Sequence, residues 1–178
     1  MALYQPLTFL ELVGDHKPQR EVQRLSEAKL LFPFQSIPFD FRKSTIALFL
    51  SEILAKALRE ESPNEELFKY LYQSFVYLDR QEGGFENFHL QFLMQCPDYI
   101  GFGVGNAEEW LGQLQLKGVS ERIPPVVDTL LSSPFGAHIP LTGQLRSELL
   151  HWIIRFYQLH LGGFGEVKSL PVLQELWR

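Results

Sequence analysis

The chain is poor in thiols, in positive charge and in long apolar runs, and each shortage closes off a class of protein. One cysteine, Cys96, excludes an internal disulfide and any metal site that needs several thiolates. It also suits a reducing compartment. No apolar run approaches the roughly 20 residues of a membrane-crossing helix. The opening stretch MALYQPLTFLELVGDH has neither the basic region nor the cleavage site of a secretion signal. A cytoplasmic protein is expected. Net charge is −5, and Glu60 to Asp128 holds 12 acidic against 4 basic residues. Bulk charge does not draw such a chain to nucleic acid, so any basic patch must use residues from its two ends.

Catalytic signatures are missing as well. There is no GxxxxGK phosphate loop, no HExxH and no GxSxG. The histidines His16, His89, His138, His151 and His160 are scattered. His151 and His160 lie half a turn out of phase on a helix and cannot share a metal from one face. Glu60-Glu61, Glu65-Glu66 and Glu108-Glu109 suit solvated faces and helix N-terminal charges better than acid–base dyads. Cys96, without a histidine partner in sight, reads as a buried thiol. No enzyme, no catalytic residue and no cofactor are expected.

What is present is enough apolar material, 46% of 178 residues, for one ordinary domain or one domain with a small appendage. The richest stretch is Leu141–Leu173. Leu145, Leu149, Trp152, Ile153, Phe156 and Tyr157 repeat at helical spacing, and Leu150, Ile154, Leu159 and Leu161 widen that face. A helix so apolar around its circumference is expected at the centre of a bundle. Thr142 can cap its start and Gly162-Gly163 its end. A shorter helix is expected after Ser169, with Pro171 in its first turn.

Towards the N-terminus the pattern differs. Leu3–Val13 and Val22–Leu31 read as two extended segments around a loop at Gly14-Asp15-His16-Lys17-Pro18. Val22, Ala28 and Leu30 share one face of the second, and its imperfect alternation implies a bulge. A helix over Glu21–Leu31 is the alternative. Pro33 and Pro38 then break the chain. Ile46, Phe49, Leu50, Ile53, Leu54, Ala57 and Leu58 mark an amphipathic helix, on which Glu52 and Lys56 form an exposed pair. Ser62-Pro63-Asn64-Glu65 reads as a capping box with proline at the first helical position, opening a helix to about Arg80. Phe85 to about Gln95 gives a third, ended by Pro97, with Phe85, Phe88, Phe92 and Leu93 inward. Gly105–Pro125 has no clear pattern, and Pro124–Leu131 suits a short helix.

Two stretches carry a resemblance. QPLTFLELVGDHKPQREVQRLSEAKLLFPFQSIPFDFRKSTIALFLSEILAKALREESPNEELFKYL at the start and RFYQLHLGGFGEVKSLPVLQEL at the end resemble the RecO family of DNA repair proteins, in the form found in Bacteroidetes. Lys168 sits where that family's pattern places a lysine. The resemblance implies a mainly α protein: an all-helical domain over residues 34–178, preceded over residues 1–33 by a β-hairpin resembling the last two strands of an OB-fold. The chain then looks truncated at its N-terminus, roughly three strands short of a five-stranded barrel. Many family members carry two CxxC pairs in the region matching Gly101–Leu141. That region has no cysteine here, so zinc is not expected.

The resemblance further implies recombinational repair without catalysis: binding and annealing of single-stranded DNA, docking to RecR and to the C-terminal tail of single-strand-binding protein, and help in loading RecA. The OB loop between the last two strands commonly contacts nucleic acid, which singles out Lys17, Arg20 and Arg24. An ordinary solvated hairpin tip is the alternative. The tail implied by the family ends in a phenylalanine preceded by acidic residues, and needs an apolar hole with a cation at its rim. Arg42, Lys43 and Arg59 near the first helix, and Arg155 and Lys168 near the end, are the candidate cations. Phe156, Phe164 and Leu170 are candidate walls. Lys168 could instead cap helix-terminal carbonyls. An adaptor that binds only proteins and an unrelated helical enzyme remain the other readings.

Overall fold

In the computed structural model, residues 6–15, 17–20, 22–58 and 63–176 are described. The chain opens on an antiparallel hairpin, β1 (Leu10–Asp15) and β2 (Arg24–Leu30). Leu10 faces Leu30 and Val13 faces Glu27, but Gly14 faces Leu25, so Ser26 is the extra residue of a bulge. Its hydroxyl donates to the Val13 carbonyl at 3.0 Å. Gly14 is required there: a Cβ would stand 2.9 Å from the Arg24 carbonyl oxygen. The strands run differently from the sequence reading. Gly14 and Asp15 belong to β1, whereas Val22, 84% exposed, lies outside β2.

The hairpin's root, not its length, is anchored. Phe9 is buried among Phe34, Phe68, Tyr72 and Phe75, with ring centroids 5.2–6.4 Å apart, and its carbonyl accepts from Leu31 N at 2.9 Å. Phe32 packs edge-on to Phe34 and Tyr72. Beyond that cluster Leu12, Val13 and Leu25 are exposed.

Helices follow: α1 (Phe41–Ala57), α2 (Glu65–Arg80), α3 (Phe88–Gln95), α4 (Pro97–Ile100), α5 (Ala107–Gln113), α6 (Ile123–Ser132), α7 (Gly143–His160) and α8 (Leu170–Glu175). The fold is mainly α, as the sequence implies. The middle of the bundle is α3, not α7. Every residue from Phe88 to Met94 is buried. Two glutamines make this possible by satisfying other chain ends: Gln91 Nε2 donates to the Ser133 and Pro134 carbonyls, and Gln95 Nε2 to those of Leu130 and Ser133. Buried amides with matched acceptors carry little penalty. By contrast α7 buries one broad face, Leu149, Leu150, Ile153, Ile154, Phe156 and Tyr157, and leaves Leu159 55% exposed.

Helix ends show where local chemistry prevails. Thr142 Oγ1 accepts from Leu145 N at 3.2 Å, the expected cap of α7, and Ser169 precedes α8 with Pro171 in its first turn. The cap of α2 is Asn64, whose Oδ1 accepts from Leu67 N at 2.9 Å, so Pro63 lies outside the helix and not at its first position. Ser62 falls outside the described residues. Pro97 does not end the helical path: it occupies the first position of α4, which closes on Gly101 at φ 91°. The patternless stretch contains α5, capped by Asn106 and burying Ala107, Trp110 and Leu111.

Candidate functional site

The hairpin tip is an ordered loop built by one side chain. Gln23 Oε1 accepts from Lys17 N at 2.8 Å, and Gln23 Nε2 donates to the carbonyls of Lys17 and Arg20. Arg20 N closes a turn onto the Lys17 carbonyl at 2.9 Å. With the backbone so held, Lys17, Arg20 and Arg24 stand exposed on one short segment, and none pairs with a carboxylate among the described residues. His16 and Glu21, also in this loop, lie outside the described residues.

The helical cations expected at a peptide site separate into different roles. Arg42 and Lys168 are exposed, as is Arg155 on α7. Arg42 pairs with Asp40 at 3.6 Å and its guanidinium lies 5.1 Å from the Phe85 ring centre. Lys43 cannot rim a surface site: it is 2% exposed, and its ammonium donates to Ser36 Oγ at 2.5 Å and to the Asp79 carbonyl at 2.9 Å. Arg59 lies outside the described residues. Phe164 and Phe156 are both 2% exposed, so they belong to the core and cannot wall an open hole, while Leu170 is half-buried.

The glycine-rich connector before α8 is positioned from α1. Glu52 accepts from Lys168 N at 2.9 Å, from Ser169 N at 2.8 Å and from Ser169 Oγ at 2.6 Å. Lys56 stands 3.8 Å from Glu52 and donates to the Phe164 carbonyl at 3.2 Å. Burial alone would raise the Glu52 pKa, but these hydrogen bonds and Lys56 outweigh it and hold the carboxyl below its ordinary value. The expected exposed ion pair is thus a half-buried anchor. It fixes the backbone at Lys168 and leaves that side chain at the surface.

A cavity of about 460 Å³ opens between α3, the start of α7 and α8, lined by His89, Gly143, Arg146, Leu150, Leu173 and Gln174, among others. Neither Arg155 nor Lys168 lines it. His89 is 1% exposed and its Nδ1 has no hydrogen-bond partner among the described residues. Burial, with Arg146 nearby, pushes its pKa down to about 3. The sequence reading passed over His89 as a scattered histidine. Its signal was the titratable ring in the stretch Phe88–Met94, where Gln91 is the one other polar residue. Burial raises the Cys96 thiol to about 12, so it is no nucleophile. Among the described residues no group of His, Cys, Asp and Glu could hold a metal ion, and no helix is long and apolar enough to cross a membrane.

These features define a helical domain bearing a β-hairpin with a basic tip. Residues 38–105 match the family described as Recombination protein O C terminal. Over 98% of its length the chain is 36% identical to a protein named DNA repair protein RecO from Phocaeicola vulgatus, spanning 79% of that relative. It is 34% identical to the protein of the same name from Flavobacterium johnsoniae, over 99% of this chain and 79% of the relative. No solved structure matches it. The chain belongs to the RecO family of DNA repair proteins.

Proposed function

We propose that the protein is a mediator of recombinational DNA repair that holds single-stranded DNA on its hairpin and docks protein partners on its helices. The hairpin tip carries this reading: in an acidic chain of a repair family, Lys17 and Arg20 stand exposed on one loop that Gln23 keeps in shape, and Arg24 adjoins it as the first residue of β2. Residues 1–33 are taken as part of an OB-type sheet and residues 34–178 as the partner-binding domain. RecR and the acidic tail of single-strand-binding protein are the proposed partners, RecA loading the outcome, the cytoplasm the location, and no catalytic step is involved. Arg155 and Lys168 are the proposed contacts for the tail, with Arg42 as a further cation. Alanine at either of the first two should weaken binding of a labelled tail peptide about tenfold or more, as loss of a charge-assisted contact does.

The DNA reading is tested by anisotropy of a labelled oligonucleotide across a salt series. Three phosphate contacts predict a log–log slope near −2, and alanine at Lys17, Arg20 or Arg24 should each reduce it by about 0.7. One observation favours the second reading, an adaptor for proteins alone. Residues 10–31 contain no Phe, Tyr or Trp on which a base could stack. On that reading the three alanine variants leave oligonucleotide binding unchanged while partner binding persists.

A further inference from the structure

The outer edge of β2 plays no part in the repair reading. We propose that two copies of this chain pair there, β2 against β2 and antiparallel, into one four-stranded sheet. Among the described residues the edge is open, because the sheet holds only β1 and β2. Every residue of Arg24–Leu30 is exposed except Ala28, which is half-buried. Which main-chain groups point outward follows from the ladder. Leu31 N donates to the Phe9 carbonyl at 2.9 Å, so the main-chain groups of Leu31, Lys29 and Glu27 turn toward β1. Those of Ala28 and Leu30 turn away from it. An unpaired row of this kind is a template for another strand.

Charge selects a second β2 as the partner strand and fixes the register. When identical strands pair antiparallel, the two-fold axis passes between two copies of one residue. An axis at Glu27 or at Lys29 sets like charges directly opposite, which is destabilising. An axis at Ser26 falls on the bulge, where the ladder is broken. An axis at Ala28 sets Glu27 opposite Lys29 of the second copy, and Lys29 opposite its Glu27. Glu27 and Lys29 flank the outward-turned Ala28, so they meet as the closer, non-hydrogen-bonded kind of pair. Within the strand these two side chains already stand 3.1 Å apart, both well exposed, and two-fold pairing joins four charges into one network. The other edge offers no such match, since the charges on β1 are Glu11 and Asp15, both acidic.

The rest of the hairpin fits the same arrangement. Leu12 faces Ala28 and Leu10 faces Leu30, so these residues share one side of the sheet. In a single copy Leu12 is 48% and Leu30 36% exposed. With the small Ala28 at the axis, the leucines of both copies form one continuous apolar strip. Four strands with an apolar face meet the condition for a stable sheet that two strands fail. Because the paired strands run in opposite directions, the two aromatic roots lie at opposite ends of the sheet, and the helical bundles stay apart. A strand edge buries less than a standard interface, so the dimer is weak and forms with rising concentration.

Sedimentation of the full chain without nucleic acid, from micromolar to near-millimolar protein, tests this independently of the repair reading. Its average mass should climb toward twice that of the monomer, and less steeply in high salt, which screens the exposed pairs. A mass that stays monomeric throughout overturns the proposal. Glu27→Lys and Lys29→Glu each turn both cross-copy pairs repulsive, and each should weaken association about tenfold or more. Mixed in equal amounts, with one of them fluorescently labelled, the two variants should pair as well as the parent chain does. Each variant also sets like charges side by side within its own strand, which mixing does not relieve, so recovery reports contact between copies. Variants that associate like the parent, or a mixture that fails to recover, count against the register. Hydrogen exchange supplies a separate readout. Amides of Ala28 and Leu30 should gain protection as concentration rises, while those of Lys29 and Leu31, already turned to β1, should not. Protection gained along Leu10 and Leu12 instead would place the contact on the wrong edge.

Discussion

Asp79 decides how the segment after the hairpin meets the bundle. Its carboxylate accepts from the backbone amides of Gln35, Ser36 and Ile37 at 2.8–3.1 Å, and Ser36 Oγ donates to its backbone carbonyl. Burial alone would raise the Asp79 pKa, but three amide donors outweigh it and the carboxyl sits below its ordinary value. The Lys43 ammonium, on the same carbonyl and on Ser36 Oγ, lies 5.4 Å from the Phe85 ring centre and completes the joint. Asp79→Asn leaves one acceptor oxygen for three amides. It should lower stability by about 2–3 kcal/mol, read as a fall in the urea midpoint at unchanged slope. Sequence alone showed Asp79 as one more charge at the end of an amphipathic helix. Its partners lie more than 40 residues away.

Elements differ in how firmly they are held. The hairpin pairs with no other strand among the described residues, and an isolated two-stranded sheet is marginal in water. Its stability comes from the aromatic root, where Phe9 meets Phe34, Phe68, Tyr72 and Phe75. Phe9→Ala should therefore loosen the hairpin selectively. Amides of β1 and β2 should exchange at least about tenfold faster while those of α3 keep their protection, since local opening and global unfolding are separate events. Loss of protection across the whole bundle would show that the hairpin is integral to the core. The basic tip depends on this root for its placement.

Across the whole molecule, Asp79, Glu52 and His89 shift stability with pH in the same direction. Asp79 and Glu52 are held below their ordinary values, so their contribution is present above the unfolded carboxyl range and lost as pH falls through the folded one. His89 is depressed to about 3 from 6.5. The unfolded chain therefore binds a proton that the folded chain refuses between those values, and stability falls as pH drops below 6.5. One such proton contributes a slope of about 1.4 kcal/mol per pH unit. Urea midpoints from pH 7 to 4 should decline, and His89→Phe should flatten the upper part of that decline. An unchanged profile would place the acid sensitivity in the carboxylates alone.

The mainly helical fold, the hairpin with its bulge, and the start of α7 at Thr142 were determined by the sequence itself. Apolar periodicity, glycine and side-chain capping act over a few residues and leave a local mark. The stretch from Gly105 to Pro125 was opaque because α5 is short and its burial of Trp110 depends on neighbours distant in sequence. Candidate cations were legible as residue types, but only packing separated them. Lys17, Arg20 and Arg24 share the hairpin tip at the surface, whereas Lys43, equally basic in sequence, is sealed against Ser36 and Asp79. The place of α3 at the centre was likewise settled by tertiary structure, through two glutamines whose acceptors lie 35 to 43 residues further along the chain. Burial of a polar group is tolerable only where a partner meets it, and which partner arrives is fixed by how the helices pack.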